Sequence, residues 1–496
     1  MLTDQSWLAR GQLFPPASEQ ERLTTYQAHR DLFESKHSEV YKAQQDRLDR
    51  DLPQIMGKVR FVTILNYQRL MALKMADLIF GEPPSVTVPD SSDRPGTLDT
   101  KKQEVIDRVI ADTDLFGKGY AAAIDLSRYG DAVLELGRDG DKVTLDTLPP
   151  QKWFPVVDPR NIKRILKHVL AYVRCVDKTR KEHHLFVEIH DPAAPGDCEK
   201  HEYLLQDGGN NSWKIGAEVK SRDAELFAST DLDFCPIFRV SNVQTSDRVY
   251  GLDDFDPIDS LVSELIVRIS QISAVLDKHA NPSMTGPQSA LQYDATTGAW
   301  KLKTGNYYAR NDTADPVPEY LTWDGNLDAA FRQIELLTNQ LYAISEMGAA
   351  VFSDMSNTAG AVPSGSALRR LMISPLAKAA RVARQFDPVL KQILSAGASL
   401  YGADIAPEEI TIKWNDGLPD DEAEQAQIMA TRTGNQPTIS QYTAIQRLDG
   451  MAAEDVDSEL EQMREESAGR TPPMLPLFSP RTDEADDKKP KLEDSS

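Results

Sequence analysis

Residues 326–395 read as a long helix, a loop of small residues and a second, longer helix, and no other stretch restricts the fold as much. In the first part Leu327, Phe331, Ile334, Leu337, Leu341 and Ile344 recur at spacings of three and four, which places one apolar face on a helix. Asn326 is positioned to cap its start and Gly348 to stop it. The loop that follows, Ser353-Asp354-Met355-Ser356-Asn357-Thr358-Ala359-Gly360-Ala361-Val362-Pro363, has hardly a large side chain and a single charge. Ser364 or Ser366 can cap the second helix, which runs through Leu368, Leu371, Leu376, Val382, Phe386, Leu390 and Leu394. Pro375 and Pro388 fall inside that pattern and are expected to kink or divide it. A glycine-bearing loop held between two stiff helices is built to move.

At about 100° per residue, Arg370, Arg381, Arg384 and Lys391 lie within an arc of roughly 80° on the second helix, spread over about 30 Å of its axis. Such a stripe suits carboxylates of a neighbour or phosphates. The chain carries a net charge of -22, which favours ion pairs within or between subunits over contact with DNA. An acidic surface is also poor at gripping nucleic acid, though it suits a protein that must let DNA slide.

At 496 residues the chain has room for two to four domains. No run of 18 apolar residues suggests a membrane span, and MLTDQSWLARGQLFPP lacks the regions of a signal peptide. Cys175, Cys198 and Cys235 are an odd, widely spaced set, as expected of thiols in a reducing compartment.

Residues 1–60 read as helical and polar, with Tyr26, Phe33, Val40 and Tyr41 as packing points. Asn66 caps a helix to Phe80, Gly81 stops it, and residues 85–88 are strand-like. A further helix spans 103–116, after which the period shifts from 3.6 toward 2 at Gly117. Residues 132–136 and 142–146 flank an Asp139-Gly140 turn and form a β-hairpin. Short strands are expected at 168–174, 184–190, 202–205 and 236–240. His183, His184, His190, Cys198 and His201 lie close together but lack the paired spacings of a finger site, so no metal is expected.

Ile258, Val262, Leu265, Ile269, Ile272 and Leu276 alternate spacings of four and three along a helix from Pro257 to His279, roughly 34 Å long, suited to lengthwise packing. Residues 281–326 form a Pro/Gly-rich insert carrying Trp300, Tyr307, Tyr308, Tyr320 and Trp323, at the tip of an αα hairpin. A strand at 410–414 precedes three helices, which begin at Asp420, Ser440 and Ala452. The Pro-rich, charged residues after Gly469 read as a disordered tail. Phosphate-loop, dinucleotide, nucleophile-elbow and zincin motifs are all missing, which argues against an enzyme and against a bound cofactor.

Four segments, in order, carry a resemblance: ALKMADLIFGEPPSV, YGDAVLEL with LPPQKWFPVVDP, NTAGAVPSGSALRRL, and ITIKWNDGLPDDEAE with TISQYTAIQRL. With them the chain resembles the portal proteins of tailed bacteriophages, the siphophage-type head-to-tail connectors, over most of residues 60–467. The resemblance implies an α+β, mainly helical subunit with wing, long-helix stem, small β-containing clip and helical crown. It implies a wing at 1–256, stem helices at 257–280 and 326–348, and a clip at 281–325. It further implies a tunnel loop at 349–365, a wing helix and strand at 366–415, a crown at 416–469 and a tail at 470–496. The implied assembly is a ring, usually of twelve subunits, at the capsid portal vertex of the virion, made in the host bacterial cytoplasm. Its implied partners are double-stranded DNA, the terminase large subunit, the major capsid protein and the head–tail adaptor, with no membrane involved. By the same likeness Ser353, Asp354, Met355, Ser356, Asn357, Thr358, Gly360 and Val362 face DNA, and Trp300, Tyr307, Tyr308 and Trp323 bind partners at the clip. The rival is an acidic, self-associating helical scaffold or adaptor that never meets DNA.

Overall fold

The computed structural model describes residues 1–51, 63–90, 98–196, 198–209, 212–219, 232–280, 284–285, 291–296, 298–302, 319–320, 327–352, 369–415, 422–434, 437–449 and 453–469. Residues 353–365 of the expected tunnel loop, Tyr307, Tyr308, Trp323 and the tail lie outside these residues. The chain divides into a unit of residues 1–418 and a unit of residues 419–496.

The first unit opens with strand β1 (Leu13–Phe14) and helices α1 (Gln20–Phe33), α2 (His37–Val40) and α3 (Lys42–Asp51). Helix α4 (Tyr67–Phe80) starts as its sequence predicts, with the Asn66 carboxamide accepting from the amide of Arg69 at 2.9 Å. Strand β2 (Ser85–Thr87) leads to α5 (Thr100–Thr113), capped by Asp99, and to α6 (Leu115–Tyr129). Helix α6 departs from the expected change of period at Gly117. Gly119 lies on the α6 face against α4, where an added Cβ would come within 2.8 Å of the Phe80 ring. Gly119 therefore permits close helix packing, Gly117 leaves room for the Asp114 side chain, and α6 runs on to Gly130, whose φ of +81° ends it.

Strands β3 (Asp131–Asp139) and β4 (Lys142–Leu148) form the expected hairpin, then β5 (Trp153–Asp158), β6 (Asn161–Asp177), β7 (Glu182–His190), β8 (Cys198–Gly209), β9 (Ser212–Glu218) and β10 (Ile237–Ser241) follow. They make two sheets with antiparallel pairings, one ordered β1-β9-β8-β7-β6-β5 and one ordered β10-β3-β4. The N-terminal segment, read from sequence as helical, instead joins the larger sheet. Leu13 and Phe14 pair with Lys214 and Trp213 on β9, while Leu2 bridges Val156 on β5. Leu2, Trp7, Leu8 and Phe14 are buried there with Phe154, Val169, Val187 and Ile215. Their large apolar side chains outweigh the polar composition of the segment around them.

Helix α7 (Asp256–Ala280) buries Ile258, Val262, Leu265, Ile266, Val267 and Ile272, and leaves Leu276 exposed. Burial in its first half is thus wider than a heptad seam, because α4 and α6 contribute to the same core. The insert holds two short antiparallel pairs: β11 (Met284–Thr285) with β14 (Glu319–Tyr320), and β12 (Leu291–Asp294) with β13 (Ala299–Leu302). Helix α8 (Asp328–Ile344) ends before Gly348, and α9 (Gly348–Phe352) begins there, so that glycine opens a helix rather than closing one.

Helical residues 369–371 end at Met372 and the helix α10 (Ile373–Leu400) starts two residues before Pro375, so the pattern is divided there as expected, whereas Pro388 lies inside α10 without breaking it. Pro375 sits in the first turn, where an amide hydrogen has no helical partner, so nothing is lost there. Pro388 lies in the interior, where burial of Val382, Phe386, Leu390, Ile393 and Leu394 keeps the helix intact despite the missing donor. Strand β15 (Thr411–Lys413) pairs with β2. The second unit contains α11 (Glu422–Thr433), α12 (Gln441–Asp449) and α13 (Ala453–Gly469), with Ala444 and Val456 buried.

Candidate functional site

Helices α8 and α10 flank the sequence of the expected tunnel loop, and their ends are fastened at one joint. After Ile344 the chain turns through Glu346 and Gly348, both in the left-handed region at φ +61° and +66°. For Glu346 that conformation costs about 1 kcal/mol and persists only where neighbours hold it. Lys378 on α10 is the principal holder. Its ammonium is buried, donates to the Ser345 carbonyl at 3.0 Å and pairs with Asp254 at 2.9 Å. Asp254, also buried, accepts from Ser127 Oγ at 2.8 Å and Asn242 Nδ2 at 3.0 Å. A buried carboxylate is tolerated when its lone pairs are filled in this way. Ser374 donates to the Glu346 carbonyl at 3.0 Å, and Arg381 pairs with the Glu346 carboxylate. Asp254 thereby ties together the end of α6, the segment after β10, the start of α7 and the second turn of α10.

Two members of the predicted basic stripe are engaged within the chain, Arg381 with Glu346 and Lys391 with Asp387 at 2.8 Å. Arg370 and Arg384 are exposed, and Arg384 Nε donates to the Ala380 carbonyl one turn back. In the insert, Trp300 on β13 faces Tyr293 on β12, with ring centroids 5.3 Å apart and both rings more than half exposed. Tyr293 was not among the residues singled out from sequence. Its pairing with Trp300 follows from the hairpin register and from nothing local to Tyr293.

At the base of α7, buried His29 has both ring nitrogens facing acceptors: Nδ1 lies 2.7 Å from the Arg128 carbonyl and Nε2 3.1 Å from Asp256 Oδ1. Two acceptors require two donors, so this geometry selects the imidazolium. Burial alone would lower its pKa, but the hydrogen bond to Asp256 and the charge of Asp253 outweigh it and hold the value up. Asp253 is itself pushed up to about 6 by burial. Asp256 and Asp259 come near His29, but with both nitrogens engaged the ring offers no lone pair to a metal. Beside this group an open cleft of about 490 Å³ is lined by Glu19, Arg22, Tyr26, Tyr250 and Asp253. Arg22 fills its wall, bonded to Glu19 at 2.9 Å and lying 4.3 Å from the Tyr250 ring.

The side chains of the histidine-rich strands go to separate partners. His183 approaches the Lys181 carbonyl, His184 sits between Glu182 and Glu202, and His201 meets Glu218. His190 and Cys198 are the exception. They are cross-strand partners on β7 and β8, with Nε2 and Sγ 3.8 Å apart, and Glu188 joins them at 4.0 Å. Glu188 lies two residues before His190 on the same face of β7, and the pairing of β7 with β8 brings Cys198 to them. Burial pushes the His190 imidazole down to about 4 and the Cys198 thiol up to about 11.

The fold and these fastenings define an α+β subunit in which paired long helices carry a small β insert at one end and a tightly held joint at the other. The chain matches the family described as phage portal protein, SPP1 Gp6-like, over residues 16–472, and it belongs to that family. Among solved structures it is similar to a chain of the neck of a native GTA particle computed with C12 symmetry, at 14% identity and a TM-score of 0.35, covering 77% of this chain and 89% of that one. No curated protein matches it. Among the described residues no helix is long and apolar enough to cross a membrane.

Proposed function

We propose that this chain is the repeating subunit of a ring at one vertex of a phage head, through which double-stranded DNA is packaged and later ejected. The observation that carries the reading is the family match across residues 16–472. Helix α8 supports it, since Phe331, Leu336 and Ile344 are exposed apolar residues of the kind a neighbouring copy covers in a ring. Residues 257–280 and 326–348 are the stem, 281–325 the clip, 349–365 the tunnel loop, 416–469 the crown, and residues 1–256 with 366–415 the wing. The clip, with Trp300, Tyr307, Tyr308 and Trp323, docks the terminase large subunit and then the head–tail adaptor, and the wing meets the major capsid protein. Residues 353–358, Gly360 and Val362 line the channel. Duplex DNA carries a charge every ~1.7 Å, and a loop whose single charge is Asp354 can meet it by shape without trapping it.

Native mass spectrometry and complementation of a phage lacking its own copy test this. A ring of the family's subunit number is expected, and Met355→Lys is expected to leave the ring intact while lowering packaged DNA. A monomer or dimer at micromolar concentration would favour the acidic scaffold instead. Normal packaging by intact Met355→Lys rings would place the loop away from DNA.

A further inference from the structure

We propose that Glu188, His190 and Cys198 form a binding site for a divalent cation of the zinc class, set between two strands of the larger sheet. One carboxylate oxygen, one ring nitrogen and one sulfur converge there, with all three atoms within 4.8 Å of one another. In a tetrahedral zinc site neighbouring donor atoms stand about 3.3 to 3.6 Å apart, from bond lengths near 2.0 and 2.3 Å. The His190 Nε2–Cys198 Sγ separation of 3.8 Å exceeds the N–S value by about 0.3 Å, and the His190 Nε2–Glu188 Oε2 separation of 4.0 Å exceeds the N–O value by about 0.7 Å. Binding therefore draws the Glu188 and Cys198 side chains toward the ion. Backbone pairing fixes the rest, since His190 and Cys198 are directly opposite in the β7–β8 register and Glu188 is two residues from His190 on the same face.

Donor chemistry selects the ion. Sulfur with imidazole and one carboxylate suits zinc and its borderline-soft neighbours and is a poor match for calcium or magnesium. His190 is buried, so its ring is held in place before any ion arrives. A third imidazole, His168, is the cross-strand partner of His190 on β6 but is not a ligand. Its Nδ1 accepts from Trp153 Nε1 at 3.2 Å, which puts the ring hydrogen on Nε2.

Lys200 stands opposite Glu188, with its ammonium 3.9 Å from the carboxylate. Lys200 is too far for a hydrogen bond to the carboxylate and acts as a diffuse counter-charge that a metal partly replaces. On binding, Cys198 gives up its thiol proton to solvent and the thiolate takes the metal, so uptake releases about one proton per subunit.

Cobalt(II) added alone to the full chain tests the site, because a tetrahedral thiolate complex shows sulfur-to-cobalt charge-transfer absorption in the near ultraviolet. Saturation at one cobalt per subunit is expected, with the band bleached by zinc and abolished in Cys198→Ser. Cys175→Ser and Cys235→Ser should retain it, and Lys200→Gln should bind cobalt several-fold more tightly. The wild-type titration is decisive by itself: no charge-transfer band at excess cobalt overturns the proposal. A band that survives in folded Cys198→Ser overturns it equally. Neither result depends on ring assembly or on the proposed DNA channel.

Discussion

Lys378 illustrates how much can rest on one buried charge. Its ammonium satisfies the Ser345 carbonyl and Asp254 together, so Lys378→Met leaves Asp254 buried without a counter-ion. Loss of one partner of such a pair costs about 3–5 kcal/mol. Urea unfolding should show that loss for Lys378→Met and a smaller one for the double variant with Asp254→Asn, in which no charge is stranded. Equal losses would mean that Asp254 is not held as an ion. His29 makes a prediction about pH. Its value is raised above the ordinary ~6.5, so its stabilisation is complete below that pH and fades as pH rises through the folded value. Asp256 is lowered, chiefly by the hydrogen bond from His29, so its share is present above the ordinary ~3.9 and fades as pH falls through the folded value. His168 and His190, pushed down to about 4 by burial, act in the opposite sense, weakening the fold as pH falls below ~6.5. The wild-type curve sums these effects, and its difference from His29→Gln isolates one. That difference in melting temperature should be largest near pH ~5–6 and shrink above neutrality. A difference that does not change with pH would mean the ring is neutral throughout.

Among the elements, α10 bears on the core most directly through Gly397. A Cβ there would stand 2.6 Å from Val109 Cγ1 on α5, and Gly397→Ala should cost about 1–3 kcal/mol by thermal unfolding as the two helices separate. A neutral result would show that the α5–α10 contact is loose. The same contact explains which elements the sequence discloses. Helices α4, α7 and α8 are long and periodic, α4 is capped by Asn66 and closed at Gly81, and β3 and β4 are joined by the two residues Gly140 and Asp141, so each is readable from its own neighbourhood. Helix α6 is not, because Gly117 and Gly119 look like breakers until the Asp114 side chain is seen beside the first and the Phe80 ring against the second. Pro388 misleads for a similar reason, its local cost being offset by side chains on distant elements. The joint at Glu346 and the trio Glu188, His190 and Cys198 depend on partners far apart in sequence or on strand register, neither of which local pattern records.

At the scale of the whole chain, the larger sheet has a property that its strand order alone conceals. Leu13 and Phe14 occupy one of its margins while Leu2 touches the other, so a single short segment engages both rims. A variant lacking residues 2–14 should therefore remain helical by far-ultraviolet dichroism yet lose monodispersity in size-exclusion chromatography. Unchanged elution would show that the segment is ornamental. The reason concerns misassembly. Unpaired strand edges are templates on which other chains extend a sheet. The segment that guards these edges is made before the sheet, and β9, one of the strands it guards, comes much later. Each nascent subunit thus passes through an interval with open edges and an idle guard, and the crowding of its sister chains during that interval sets how many reach the assembly pathway.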